Sequence, residues 1–249
     1  EALTAATDVL ARAPHPVMVF DAGGNFITSW GEGRFTPFVH GLTIGPDGHV
    51  WITDSGSHTI VEHRPDGTVL RTIGTADFPA PTFWGNPFNM PTGVAFAANG
   101  DLFIADGYGN RRVHRFAPDG RRLHSFGEPG NGPGQFAIVH YIEIDGHDRL
   151  HVVDRENDRI QIFDTAGTHL ADWTGFDQPS DLAFGKDTIV VGGRDGLGIW
   201  SSARERLAHF GRHTPHPDAL HIHGVWLDAE ENIYLAMFDR TVSKLTRLP

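Results

Sequence analysis

Three histidines that each directly precede an apolar strand pattern are the residues of this sequence best suited to metal chemistry. They are His40 of "VHGLTIG", His140 of "VHYIEID" and His223 of "HIHGVWLD". Neutral imidazole is a common ligand of divalent metals, and a catalytic zinc ion typically has three protein ligands and one open position. The spacing therefore predicts a site for zinc, or another divalent metal, if the fold brings the three together. His221 is a nearby competitor, but only His223 aligns with the other two.

A repeated pattern predicts how the histidines are positioned. Each copy has about four short alternating segments separated by Gly, Asp, Asn or Pro, which is typical of four antiparallel strands joined by tight turns. Copies begin at His40, Thr92, His140, Ser180 and His223, and a partial copy begins at Asp8. A four-stranded sheet repeated about every 40–50 residues is typical of propeller blades. The sequence thus predicts an all-β, six-bladed β-propeller forming a single domain over residues 1–249, although the last copy stops after three strands.

The position before the first strand of each copy is expected to lie at one rim of the central channel, because first strands line that channel. Histidine occupies this position in the second, fourth and sixth copies, which would be roughly 120° apart in a six-bladed ring. Three imidazoles would then converge on the axis and leave the outward side open to water or substrate. The alternative is three unrelated structural histidines at strand ends, which this alternation disfavours.

A second repeated position, after the second strand, is expected to supply charged and phenolic groups to the same rim. Its occupants are Arg12, Ser55, Gly107 and Arg155, and Tyr108 and Glu156 come one residue later. Arginine binds carboxylates through two parallel hydrogen bonds, and nearby cations favour the ionised form of a phenol. Arg12 and Arg155 are therefore candidate carboxylate ligands and Tyr108 a candidate general base. Alternatively, Arg155 pairs with Glu156 or Asp158 on a solvated loop.

Three aspartates end the second strands of complete copies, at positions 54, 106 and 154. Aspartate side chains commonly accept hydrogen bonds from the backbone N–H groups of a following turn. We therefore predict that Asp54, Asp106 and Asp154 are structural residues.

Composition excludes several classes of partner and chemistry. The net charge of −11 disfavours nucleic acid and anionic membranes, and no apolar run approaches the roughly 18 residues of a membrane span. The absence of cysteine excludes disulfides and thiolate ligands. We expect a soluble protein that acts on a small-molecule or peptide-derived substrate. The sequence does not distinguish a bacterial cytoplasm from a periplasm, and it does not define an oligomeric state.

Four segments, "PTGVA", "DGYGN", "GPGQF" and "DRENDRIQ", resemble peptidyl-α-hydroxyglycine α-amidating lyase and its bacterial NHL-repeat relatives. The resemblance covers nearly the whole chain. It implies a six-bladed NHL-type propeller with zinc on three histidines, a tyrosine proposed as base and arginines that bind the substrate carboxylate. By motif, these residues are His40, His140, His223, Tyr108, Arg155 and, by a weaker match, Arg12.

The chain also departs from that family near the predicted metal site. Gly224 replaces an aspartate that helps to bind a structural calcium in the family, which argues against calcium here. Tyr141 replaces a small residue after the second histidine, and Glu143 follows two positions later. Tyr141 is therefore predicted to reshape the substrate pocket, and Glu143 is a candidate acid–base group.

Three functions fit these residues. The first is a zinc-dependent lyase that cleaves the C–N bond of an α-hydroxyglycine-like substrate to an amide and glyoxylate. The second is a metal-dependent hydrolase of a lactone, ester or amide, in which Glu143 would transfer protons. The third is a non-catalytic NHL module that binds protein or peptide and holds no metal.

Overall fold

The computed structural model describes residues 16–81, 88–211, 221–238 and 241–246. Within these ranges the secondary structure is almost entirely β, and no helix is long and apolar enough to cross a membrane. The strands are β1 (Val17–Phe20), β2 (Phe26–Trp30), β3 (Val39–Ile44), β4 (Val50–Asp54), β5 (Thr59–His63), β6 (Val69–Gly74), β7 (Gly93–Phe96), β8 (Leu102–Asp106), β9 (Arg112–Phe116), β10 (Arg122–Phe126), β11 (Glu128–Pro129), β12 (Gln135–Phe136), β13 (Val139–Ile144), β14 (Leu150–Asp154), β15 (Arg159–Phe163), β16 (His169–Thr174), β17 (Pro179–Phe184), β18 (Thr188–Gly193), β19 (Gly196–Ser201), β20 (Arg206–Phe210), β21 (Ile222–Leu227), β22 (Ile233–Met237) and β23 (Val242–Leu245). A 3-10 turn, Arg155–Asn157, follows β14.

The strands form a β-propeller. Strands β3–β6, β7–β10, β13–β16 and β17–β20 each make a four-stranded antiparallel sheet in chain order, and β21–β23 make a three-stranded sheet. Strands β1 and β2 form a hairpin, and β11 and β12 pair in parallel. The first strands of successive sheets pack side by side. This arrangement places the start of each repeated copy on the inner face of the ring.

The prediction of six four-stranded blades is wrong for the residues described. The structure has five blades, four of four strands and one of three, together with the β1–β2 hairpin. The C-terminal blade has three strands because the last copy contains only three alternating segments. The start of the partial upstream copy, including Arg12, lies outside the described residues. The single-domain assignment over residues 1–249 stays a prediction.

The second strands form the centre of the blades. All five residues are buried in each of β4, β8 and β14. Apolar clusters fill the spaces between neighbouring blades, as Phe103 and Val139 do between β7–β10 and β13–β16. Because these strands are covered on both faces, they read as continuous apolar runs that end in a buried aspartate.

The three buried aspartates fix the loops that precede the first strands. Asp54, Asp106 and Asp154 accept hydrogen bonds of 2.9 Å from the backbone N–H groups of Thr36, Asn89 and Ala137, respectively. Asp54 also accepts N–H groups of the turn after β4, as predicted. In the other two blades, the remaining oxygen binds side chains. These are Asn110 and His114 at Asp106, and Asn157, Arg159 and Gln161 at Asp154.

Replacing Asp154 with alanine is expected to destabilise the fold by about 3–5 kcal/mol, because it removes the fully buried carboxylate that binds Arg159 and leaves that buried guanidinium only the more exposed Asp172. Asp164 is the matched control, since it also accepts backbone N–H groups but lies in a surface turn. Asp164→Ala should cost about 1 kcal/mol or less. Urea unfolding followed by circular dichroism measures both. Equal losses for the two variants would contradict the structural role of Asp154.

Candidate active site

A β-bulge presents the histidines to the channel rim. The register between first and second strands shifts on either side of one residue in four blades. The residues at these shifts are His40, His140, Ser180 and His223. A bulge leaves one residue outside the ladder and redirects its side chain. The position selected by the repeat alignment is therefore a bulge, and its geometry turns three imidazoles towards one point.

The structure brings His40, His140 and His223 together. Their ring centroids are 4.7 Å (His40–His140), 4.8 Å (His40–His223) and 4.9 Å (His140–His223) apart, which is nearly an equilateral triangle. One nitrogen of each ring lies within 4.8 Å of the other two, so the three could hold one metal ion. His221 is not part of this group and stacks on Phe238 instead.

Backbone carbonyls of the next blade fix the imidazole tautomers. Nδ1 of His40 donates to the carbonyl oxygen of Thr92, and Nδ1 of His140 donates to that of Ser180, both at 2.7 Å. A carbonyl can only accept, so each proton is assigned to Nδ1 and Nε2 keeps its lone pair. Nε2 of His140 is buried without a hydrogen-bond partner in the described part of the chain. A carbonyl that accepts from one ring nitrogen in this way orients the histidine so that its other nitrogen can bind a metal.

The histidines are neutral at pH 7. Burial, followed by the charge of His223, lowers the pKa of His40 to about 3, and burial and Arg155 lower that of His223 to about 4. Burial, followed by the charges of His40, Arg155 and His223, holds the pKa of His140 well below its usual value. Only the neutral ring can bind a metal, so three neutral rings, two of them with Nε2 lone pairs fixed by backbone carbonyls, fit Zn²⁺ or a similar ion.

Tyr108 and Arg155 complete the cluster. The Tyr108 hydroxyl lies 3.0 Å from Nε2 of His40, to which it donates, and the Arg155 guanidinium carbon lies 5.8 Å from the centre of the Tyr108 ring. Gly107 allows the loop that carries Tyr108 to pack against the backbone of Val139. Any Cβ at this position would lie 1.6 Å from the Val139 carbonyl oxygen. A phenol, a guanidinium and three imidazoles thus share one rim.

The charge state of Tyr108 differs from the prediction. Burial raises the pKa of Tyr108, and the positive charge of Arg155 only partly opposes this effect. The phenol is therefore protonated at neutral pH in the metal-free protein. Nearby cations lower the pKa of a phenol, but at Tyr108 the loss of solvation has the larger effect.

No contact in the described part of the chain joins the Tyr141 or Glu143 side chain to the three histidines. The Tyr141 ring packs against Gly93, and its hydroxyl lies 3.3 Å from Thr43 Oγ1. Glu143 lies at the other end of β13 and lines a pocket formed by the ends of β13, β17 and β21. Burial raises its pKa to about 7. The proposed acid–base role of Glu143 at the histidine site therefore has no structural support.

Sequence reasoning missed Asp181, a buried residue directly after Ser180. Its carboxylate accepts N–H groups of Leu182 at 2.7 Å and Val225 at 2.9 Å, and burial holds its pKa well above the usual value. The signal was available, because Asp181 occupies the repeat position held by Tyr141 in the preceding blade. It places a second carboxyl group near Glu143 inside the channel.

A second group with metal-ligand chemistry lies near the turn between β3 and β4. His49 Nδ1 lies 2.8 Å from both Asp47 Oδ2 and Glu62 Oε1. Glu62 also accepts a 2.9 Å hydrogen bond from Arg71 Nε. This group is thus satisfied as an ion-pair cluster, and it provides a control for metal measurements.

Comparisons with known proteins agree with the fold and with the resemblance. NHL repeats match residues 36–62 and 88–116. Human NHL repeat-containing protein 3 is 32% identical over 191 residues, which cover 70% of this chain and 54% of that protein. Peptidyl-alpha-hydroxyglycine alpha-amidating lyase 1 of Drosophila melanogaster is 34% identical over 157 residues, which cover 57% of this chain and 28% of that protein. The chain therefore spans about half or less of these relatives.

Solved structures support the architecture alone. Virginiamycin B lyase from Staphylococcus aureus superposes with a TM-score of 0.62 at 16% sequence identity. The match covers 96% of this chain and 79% of that one. The chain is therefore an NHL-repeat β-propeller with homologues among the amidating lyases.

Proposed function

We propose that this propeller is a divalent-metal-dependent lyase that cleaves the C–N bond of an N-acyl-α-hydroxyglycine to an amide and glyoxylate. The observation that carries the proposal is the position of the Tyr108 hydroxyl, which lies beneath Arg155 and 3.0 Å from the His40 nitrogen that would bind the metal in the three-histidine cluster. The names of the amidating-lyase relatives support the same reaction.

The residues have distinct roles in this reaction. Arg155 pairs with the substrate carboxylate, and Tyr108 in its ionised form accepts the proton of the α-hydroxyl group. The C–O bond becomes a carbonyl as the C–N bond breaks, and the departing amide nitrogen takes the proton back from Tyr108. Zn²⁺ held by His40, His140 and His223 would supply a Lewis acid and a positive charge that favours the ionised phenol. A lyase reaction therefore needs no acid–base group besides Tyr108.

Incubation with α-hydroxyhippurate tests the proposal. The metal-loaded protein is expected to release benzamide and glyoxylate in equal amounts, measured by liquid chromatography and by a glyoxylate assay. A panel of lactones and esters is the matched control, because hydrolysis at the same site would open them without producing glyoxylate. Lactone opening without glyoxylate release would replace the lyase with a hydrolase. Absence of bound metal and of both activities would favour a non-catalytic NHL module.

A further inference from the structure

We infer that Glu156 and Gln178 are positioning residues that hold the Arg155 guanidinium for a substrate carboxylate. This inference rests on the proposed function, in which Arg155 binds that carboxylate. It assigns specificity to two side chains that do not themselves touch the histidines in the described contacts.

A chain of two hydrogen bonds connects the three side chains. Arg155 Nε donates to Glu156 Oε1 at 2.9 Å, and Gln178 Nε2 donates to Glu156 Oε2 at 2.9 Å. Both carboxylate oxygens of Glu156 therefore accept a hydrogen bond. One donor, Arg155, belongs to the same blade as Glu156, and the other, Gln178, lies in the loop before β17. Arg155 uses its Nε for this contact, so Glu156 does not occupy the two terminal nitrogens, which face the Tyr108 side and a ligand there.

The backbone around this chain is held in place as well. Gln178 N donates to Asp158 Oδ1 at 2.8 Å, and Asp158 N donates to the Arg155 carbonyl oxygen at 3.1 Å. Asp158 and Gln178 both have positive φ, 54° and 46°. Two non-glycine residues in this region indicate that surrounding contacts determine the loop conformation.

Orientation of Arg155 has a direct energetic consequence. A free arginine side chain has a large rotamer entropy, and a ligand that binds it must order the side chain. The Glu156 contact orders the side chain before the substrate arrives, and the Arg155–Tyr108 contact sets its direction. Loss of the contact should therefore weaken carboxylate binding and leave the chemical step nearly unchanged.

Two substitutions of Glu156 distinguish a role in positioning Arg155 from a role of the negative charge of Glu156. Glu156→Ala is expected to raise the KM for α-hydroxyhippurate roughly 10-fold and to change kcat less than about 3-fold. Glu156→Gln should stay within about 3-fold of wild type, because its amide oxygen can accept from Arg155 while a flipped Gln178 amide accepts from its NH2 group. Equal losses for both variants would show that Glu156 acts through charge and would overturn the positioning role.

Glu128 provides the matched control. It accepts a 2.9 Å hydrogen bond from Gln135 Nε2 in a comparable exposed Glu–Gln pair. Glu128→Ala should leave KM within about 2-fold of wild type. In an Arg155→Ala background, Glu156→Ala should add no further loss, whereas additive losses would contradict the inference.

Two further measurements keep this inference independent of catalysis. Calorimetry with hippurate, which lacks the α-hydroxyl group, should show roughly 10-fold weaker binding to Glu156→Ala. NMR of the Arg155 Nε–H group, assigned by its loss in Arg155→Lys, should show faster solvent exchange in Glu156→Ala. If wild type binds no hippurate, the proposed function fails while the NMR result still tests the contact. An unchanged Nε–H exchange rate would overturn the inference.

Discussion

Replacing His140 with alanine is expected to remove both the bound metal and glyoxylate release. His140 is the most buried of the three histidines, and its Nε2 has no hydrogen-bond partner among the described residues. The alanine variant keeps only two of the three histidine ligands of the proposed site. Metal analysis of purified protein should give about one divalent ion per wild-type chain and close to none for His140→Ala. Turnover should fall at least about 1,000-fold.

His49→Ala is the control for this experiment. His49 belongs to the other group with metal-ligand chemistry, so this variant reveals metal bound at the ion-pair cluster. It should keep the full metal content and activity. Metal retained by His140→Ala and lost by His49→Ala would place the ion outside the channel and contradict the proposed site. Thermal unfolding of both variants checks that each remains folded.

The repeat made the inner rim predictable, because each copy restarts at the same structural position. His40, His140 and His223 were selected without knowledge of the bulge that redirects them. Periodicity could not reveal the bulge, because each histidine is the second residue of its strand and too few residues precede it to show a break in the alternation. The number of complete blades was harder to predict. It depends on whether a partial copy pairs as a full sheet, and the C-terminal copy supplies only β21–β23.

Two of the predicted site residues, Glu143 and Tyr108, are affected by distance and burial, which the sequence does not show. Glu143 follows His140 by three residues, and a strand rises about 3.3 Å per residue, so the two lie at opposite ends of β13. Tyr108 was expected to ionise easily because cations were predicted nearby. The structure places Arg155 beside the Tyr108 ring, but burial outweighs its charge. The sequence identifies which groups are neighbours more readily than it shows which electrostatic effect is larger.

Tyr108→Phe is expected to lower kcat by about 100- to 10,000-fold, the range typical of losing a positioned acid–base group. Phenylalanine keeps the ring that packs edge-on against His40 and beneath Arg155. It removes the hydroxyl that contacts Nε2 of His40. Metal content and hippurate affinity should therefore stay within about 3-fold of wild type, and the loss should appear in the chemical step. Steady-state kinetics with α-hydroxyhippurate measure the loss of kcat, and calorimetry measures whether hippurate affinity is retained.

Tyr141→Phe is the matched control, because it removes the hydroxyl of a second channel tyrosine that contacts Thr43 and not a histidine. Its kcat should remain within about 3-fold of wild type. The opposite pattern, with Tyr141→Phe inactive and Tyr108→Phe active, would place the reacting group deeper in the channel, towards Glu143 and Asp181. Retention of glyoxylate release by Tyr108→Phe would also be informative. It would mean that the histidine cluster works without the phenol, and the lyase mechanism would then be wrong even with the metal site correctly identified.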